Sequence, residues 1–287
     1  MSSRPTSPDR PFATVAILGL GAMGGSLARA LSELASGPTV VGWSPIEEER
    51  AAATGEGAVT SAPAEWREAV SGADLVVVAA PLGATCSLMA SLADATSPDT
   101  TLSDVASLKA PIERAVEDAG ARARWVGSHP MTGTHESGFS ASRADLYRGA
   151  RVWTVAHADA DSRSARLHVL WEALEARPAS IDAGDHDRLM AVASHLPQLV
   201  SNVLANVMAQ RDVSPDQLGP GGTDMTRLSA SGSEIWRDML EHASPELTGG
   251  LRALADEARH VADFLEAGDL DSIEELMKRT KIWNTDA

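Results

Sequence analysis

Short apolar runs alternate with amphipathic stretches as far as about residue 182, and beyond it only amphipathic stretches remain. Thr14-Val15-Ala16-Ile17-Leu18 is unbroken by charge, the pattern of a parallel strand covered on both faces. From Ser26 to Leu34, the apolar residues Leu27, Ala30, Leu31 and Leu34 recur three and four apart, which predicts a helix. Thr39–Trp43, Asp74–Ala80, Thr101–Val105, Ala123–Gly127 and Arg151–Ala156 read as further strands. Arg163–Ala176 reads as a helix with Leu167, Leu170, Trp171 and Leu174 on one face. Strands that alternate with helices predict an α/β fold of Rossmann type, an open, doubly wound parallel sheet with helices on both sides.

After Asp182 the period is helical throughout. His186–Gln210, Asp224–Ala243, Pro245–Ala267 and Asp269–Trp283 are the predicted helices, broken at Gly219-Pro220-Gly221-Gly222, Ser244-Pro245 and Gly268. Pro197 is expected to kink the first of them. An all-helical C-terminal domain follows. The stripe Leu251, Leu254, Ala258, Val261 and Leu265 reads as its core. The expected organisation is a loose tail over residues 1–11, a nucleotide-binding domain over 12–183 and a helical substrate and dimerisation domain over 184–287. A helical domain this small that also closes a substrate site is expected to form a homodimer.

The turn after the first strand changes the picture from fold to ligand. Gly19-Leu20-Gly21-Ala22-Met23-Gly24 lies between strand and helix, with another strand beyond. That context makes it a dinucleotide fingerprint: glycines let the backbone approach a pyrophosphate at a helix N-terminus. Gly19, Gly21, Ala22, Met23 and Gly24 are the expected cofactor contacts. About twenty residues further on, an acid for the ribose is expected. Ser44 stands there instead, followed by Glu47, Glu48 and Glu49. No Arg or Lys adjoins Ser44 to hold a 2′-phosphate, so NAD is favoured, with NADP as the alternative. Glu47 is a candidate to replace the missing acid, although its place at a predicted helix start favours a solvated role.

Composition narrows the partners. The chain has 287 residues and a formal net charge of −16, which argues against nucleic acid and anionic membranes. Its single cysteine, Cys86, rules out an internal disulfide and fits a reducing, cytoplasmic compartment. Leu75–Ala93 is apolar, but Pro81, Gly83, Thr85 and Ser87 interrupt it, so strand, turn and helix explain it better than a membrane span. The lysines are Lys109, Lys278 and Lys281 alone. An acidic protein that binds an anion must gather its few cations, which draws attention to Lys109 and Arg227.

Two segments carry candidate chemistry at the carboxyl ends of strands, where such sheets bind ligands. In Asp104-Val105-Ala106-Ser107-Leu108-Lys109, Ser107 is placed to orient a histidine or a substrate hydroxyl, and Lys109 either serves an anion or pairs with Asp104. In Gly127-Ser128-His129-Pro130-Met131-Thr132-Gly133-Thr134-His135-Glu136-Ser137-Gly138, His129 has the side chain suited to accept a proton near neutrality. His195, in Ser194-His195-Leu196-Pro197, and Arg227, in Thr223-Asp224-Met225-Thr226-Arg227, are ambiguous alone. A helical histidine is usually structural, and an arginine usually pairs at the surface.

These segments, with His186-Asp187 and Trp236, occur in the order seen in prephenate and arogenate dehydrogenases, and the chain resembles that family over nearly its whole length after the tail. The resemblance implies an NAD(P)-dependent oxidoreductase of tyrosine biosynthesis. Its small-molecule dicarboxylate substrate, prephenate, is a cyclohexadienol that becomes 4-hydroxyphenylpyruvate by oxidative decarboxylation; arogenate, giving tyrosine, is the alternative. It further implies His129 as base, Ser107 as its catalytic partner, and His195, Arg227, Thr134 and Trp236 as substrate-binding residues. No metal is implied. The chain departs from the family at His135, where a Glu is usual, and at Ser231-Gly232-Ser233-Glu234, where Glu234 is placed to meet an amino group or solvent. The β-hydroxyacid dehydrogenases share a similar glycine-rich start, but they rely on a lysine in the helical domain, and the long helix after Asp182 has none. A nucleotide-binding regulator without turnover would not need His129, Ser107 and Arg227 together.

Overall fold

A computed structural model describes residues 11–134 and 136–285. The strands β1 (Thr14–Leu18), β2 (Thr39–Trp43), β3 (Leu75–Val78) and β4 (Thr101–Asp104) form one parallel sheet in the order β2-β1-β3-β4. The register pairs Thr14 with Thr39 and Val15 with Leu75. Side chains alternate across each strand. Val15, Ile17, Leu75 and Val77 therefore enter one apolar layer with Leu27 and Leu31 of α1 (Ala22–Glu33). Ala16, Leu18, Val76 and Val78 enter the other, with Met89 and Leu92 of α4 (Leu82–Ala95) and Ile112 and Val116 of α5 (Ala110–Asp118). Two short helices, α2 (Glu47–Gly55) and α3 (Trp66–Ala69), lie between β2 and β3 in the chain. Both faces are covered, which is why these strands carry no polar alternation.

A second sheet departs from the all-parallel expectation. It has the order β5-β6-β7, from β5 (Val126–Pro130), β6 (Arg151–Ala156) and β7 (Arg177–Ser180), and β5 runs antiparallel to β6. Among the described residues no α-helix stands between β5 and β6 to return the chain to the starting edge, so the chain doubles back. The helix α6 (Asp161–Ala173) supplies that return between β6 and β7, which are parallel. β7 has no counterpart among the predicted strands: Arg177-Pro178-Ala179-Ser180 lacks a β-branched run, and its proline is tolerated because the strand lies at an edge. β5 also begins three residues later than predicted, because Arg122–Arg124 forms a 3₁₀ turn. His129 therefore sits within the strand rather than after it.

The remaining helices are α7 (Ala183–Met190), α8 (Leu196–Ala209), α9 (Pro220–Thr226), α10 (Ser233–Leu240), α11 (Pro245–Ala267) and α12 (Leu270–Thr285). The single long helix expected over His186–Gln210 is interrupted at Ala191–His195 by a π-helical turn just before Pro197. A proline cannot donate to the preceding turn, and the wider turn absorbs the lost bond. Contacts divide the chain into two units, the first running to Met190 and regaining Ser231–His242, the second comprising Ala191–Ala230 and the residues from Ala243 onward. Trp236 thus belongs to the first unit.

Within the second unit, the stripe expected to be core is largely exposed: Leu254 and Leu265 are 40% and 61% accessible, and Met277 of α12 is 66%. Of the proposed tail, only Pro11 is described, and its carbonyl accepts two hydrogen bonds from Arg166. No described helix is long and apolar enough to cross a membrane; the Leu75–Ala93 run is β3 followed by the first turns of α4.

Candidate active site

The fingerprint turn is built by glycines with different duties. Gly19 has φ +107°, and a Cβ there would lie 2.2 Å from the Ala79 carbonyl oxygen; at Gly24 it would lie 1.8 Å from the Gly19 carbonyl oxygen. Those two serve the protein's own packing. Gly21 is different: the nearest atom to a Cβ there is a Glu49 carboxylate oxygen 3.9 Å away, so the space beside it is open. Gly21 is also the N-cap of α1, with no side-chain cap and no acid in the first turn. A helix N-terminus left uncapped beside open space fits a pyrophosphate.

Ser44 is buried and donates its hydroxyl hydrogen bond to the Glu49 carboxylate, while its oxygen accepts from the Ile46 amide at 3.2 Å. Glu47 is exposed. The acid that approaches the glycine turn is therefore Glu49, five residues beyond the position expected from sequence.

A cavity of about 650 Å³ joins this turn to the ends of β3, β4 and β5. Gly21, Ala22 and Met23 line it on one side, and Ser107, His129 and Thr134 on another. Gly25 lets the following loop close on α1: a Cβ there would lie 2.8 Å from the Phe139 ring. The Tyr147 hydroxyl donates to the Met23 carbonyl at 2.7 Å, and the Arg143 amide donates to Ser26 at 3.0 Å. These bonds tie the segment after His129 to the fingerprint helix. Glu136 also lines the cavity. His135 lies outside the described residues, and the Glu234 side chain is likewise not described. Trp236 is half-buried on α10, whose contribution to the cavity wall is Asp238 and Met239. Asp238 accepts the Gly83 amide at 3.1 Å, fixing α10 at the start of α4.

Below the cavity lies a buried ion pair. Lys109 is fully buried, with its ammonium on Asp104 and donating to the Ser128 carbonyl at 2.6 Å. Asp104 also accepts the Trp125 indole N–H at 3.0 Å and the Ala106 amide at 3.0 Å. Burial lowers the Lys109 ammonium's pKa, and Asp104 opposes that shift. Lys109 is thus committed to the protein, and of the two readings open for it the internal pair holds. Gly127 makes room for this cluster, since a Cβ there would meet the Trp125 ring at 2.4 Å.

His129, also buried, is gripped from behind. Its Nδ1 is 2.9 Å from His186 Nε2, and His186 Nδ1 is 2.8 Å from Asp187 Oδ1. Asp187 in turn accepts the backbone amides of Lys109 and Ala110, each at 2.9 Å. Burial raises its carboxyl pKa, but the hydrogen bonds from His186 and these two amides outweigh burial and hold it below the usual range. Ser107 faces the same cavity as His129 and is exposed. The hydrogen-bond partner of His129 Nδ1 is His186, which no local pattern announces.

In the second unit, His195 is buried and closes the π-turn, and Arg227 is exposed at the end of α9. Gln198 of α8 donates to the Leu228 carbonyl at 2.6 Å, and Ser201 accepts the Ser229 amide at 3.1 Å. The turn that begins at Arg227 is thereby held against the first turns of α8, the helix into which His195 leads. Among the described residues, no group of His, Cys, Asp and Glu is arranged to hold a metal.

A doubly wound sheet, an open glycine turn and a buried histidine in one cavity define a nicotinamide-dependent oxidoreductase. Residues 27–181 match the model of the prephenate dehydrogenase nucleotide-binding domain, and 182–279 that of the prephenate dehydrogenase dimerization domain. The chain belongs to the prephenate dehydrogenase family, a family of NAD-dependent oxidoreductases. It is 26% identical over 276 residues to a cyclohexadienyl dehydrogenase of Zymomonas mobilis, covering 94% of each. It is also 26% identical over 278 residues to a prephenate dehydrogenase of Bacillus subtilis, covering 93% of this chain and 74% of that one. In fold it is similar to the prephenate dehydrogenase of Aquifex aeolicus, solved with hydroxyphenyl propionate and NAD+, with a TM-score of 0.86 at 24% identity over 95% of this chain and 97% of that one.

Proposed function

We propose that the chain oxidises and decarboxylates prephenate to 4-hydroxyphenylpyruvate with NAD. The observation that carries this reading is His129, buried at one wall of the cavity whose other wall is the fingerprint turn. When bound, the nicotinamide supplies the two-electron acceptor. Every other requirement falls to the protein. With Nδ1 committed to His186, His129 takes the proton of the ring hydroxyl through Nε2. Ser107 orients that hydroxyl, and Thr134 lines the same wall. Once the ring alcohol is a ketone, the ring carboxylate is vinylogous to a β-keto acid, so carbon dioxide leaves and aromaticity drives the step. The protein's task is alignment more than bond making.

Gly21, Ala22 and Met23 receive the cofactor in a turn that Gly19 and Gly24 shape, with Ser44 acting through the acid that it holds, Glu49. That carboxylate favours a ribose hydroxyl over a 2′-phosphate. The roles of His195, Arg227 and Trp236 rest on the family resemblance: Arg227 supplies the planar fork for a carboxylate, and His195 and Trp236 complete substrate recognition. The exposed apolar residues of α11 and α12, together with the match to a dimerization domain, support a homodimer through the helical half. The net charge of −16 and the single cysteine support a cytoplasmic enzyme without nucleic-acid or membrane partners.

Absorbance of reduced nicotinamide tests the reading, with prephenate and arogenate as substrates and NAD and NADP as acceptors. Turnover of prephenate with NAD is the expected result; turnover of arogenate alone, or of neither, would overturn it. Arg227→Ala is expected to raise the prephenate KM by roughly tenfold or more with a smaller change in kcat.

A further inference from the structure

The Asp187–His186–His129 chain has a direction that its chemistry sets. Asp187 receives three hydrogen bonds, from His186 Nδ1 and the amides of Lys109 and Ala110. An ionised carboxylate only accepts, so the hydrogen between Asp187 and His186 belongs to His186 Nδ1. A neutral imidazole with Nδ1–H has an accepting Nε2. The hydrogen between the two rings then belongs to His129 Nδ1, and His129 Nε2 is left as the basic nitrogen. All three side chains are buried, so water does not compete for these bonds.

We propose that His186, anchored on Asp187, is a positioning residue that fixes the tautomer of His129, so that Nε2 takes the substrate's hydroxyl proton. In that transfer the hydroxyl O–H bond breaks and an Nε2–H bond forms. The positive charge gained by His129 then lies one ring away from the Asp187 carboxylate. Because Asp187 also holds the two amides that open α5, the same group sets the loop carrying Ser107. One carboxylate thereby references both the base and its neighbour to the same point. The kinetic part of this proposal rests on the function proposed above; the tautomer does not.

The test uses the full chain labelled with ¹⁵N-histidine and no ligand, in a two-bond proton–nitrogen spectrum, with His129 assigned by its absence in His129→Asn. The wild type is expected to carry the His129 proton on Nδ1. In His186→Phe, which keeps a ring and removes both nitrogens, the majority proton is expected to move to Nε2. Its kcat with prephenate is expected to fall roughly 10²-fold, the lower end of what a general base contributes, while both KM values hold. His186→Gln, whose side-chain oxygen restores an acceptor, is expected to recover most of the rate and the Nδ1 tautomer. A wild-type spectrum with the His129 proton on Nε2, or with His186 doubly protonated, would overturn the proposal. So would a His186→Phe enzyme with unchanged tautomer and kcat. Should His186→Phe fail to fold, the wild-type spectrum and the Gln variant decide. If neither substrate turns over, the wild-type spectrum still decides the tautomer.

Discussion

His129 illustrates how much a single side chain depends on what stands behind it. The residue was legible in the sequence, because a histidine in a Gly- and Pro-rich segment near a strand's end is an unusual place for a merely structural imidazole. Its partner was not. His186 is far along the chain, and a His-Asp pair on a helix says nothing about which ring it will meet. His129→Asn is expected to lower kcat by about 10² to 10⁴ while leaving the dissociation constant for NAD near its wild-type value, which fluorescence titration would read. The three consecutive glutamates give a second case. Glu47 was the natural candidate by position, but only the phase of α2 and the hydroxyl of Ser44 decide that Glu49 turns toward the glycines. Glu49→Gln should raise the NAD KM and narrow the preference of NAD over NADP by roughly tenfold, the worth of one charge-assisted hydrogen bond. An unchanged ratio would remove Glu49 from the cofactor site.

At the scale of elements, the strand–turn–helix at the start of the chain was readable because its constraints are local. A left-handed glycine followed by a helix start can be recognised from spacing alone. The structure separates two kinds of glycine there, and the separation is testable. Gly19→Ala places a Cβ against backbone at a φ that alanine resists, so it should destabilise the fold by about 2 kcal/mol or more, seen as a lowered Tm. Gly21→Ala meets nothing of the protein nearer than 3.9 Å, so its Tm should hold while its NAD KM rises. Equal Tm losses in the two variants would contradict this division. β7 and the antiparallel turn of β6 were illegible for the opposite reason. Their pairing is set by where α6 and the segment before β6, in which no α-helix is described, return the chain, and neither Arg177 nor Pro178 advertises a strand.

Across the molecule as a whole, the apolar stripe of α11 shows the limit of reading burial from periodicity. A spacing of three and four identifies an apolar face but not its covering. In this chain Leu254 and Leu265 remain accessible, together with Met277 and Trp283 of α12. A face of this kind ordinarily meets a partner. Light scattering is expected to give twice the mass of one chain, and Leu265→Glu combined with Met277→Glu is expected to return it to the mass of one. A wild-type protein of single-chain mass at micromolar concentration would refute the homodimer.

By itself the sequence determined what depends on neighbours along the chain: the strands of the first sheet, the glycine turn at the start of a helix, and the segment that carries His129. Local sterics and hydrophobic period act over a few residues, so they leave their mark in the string. Tertiary structure alone decided which distant groups converge. It brought His186 and Asp187 behind His129, withdrew Lys109 into a buried pair with Asp104, and selected one glutamate of three. Those outcomes follow from packing in three dimensions, where a single carboxylate can be satisfied by groups that the chain keeps far apart.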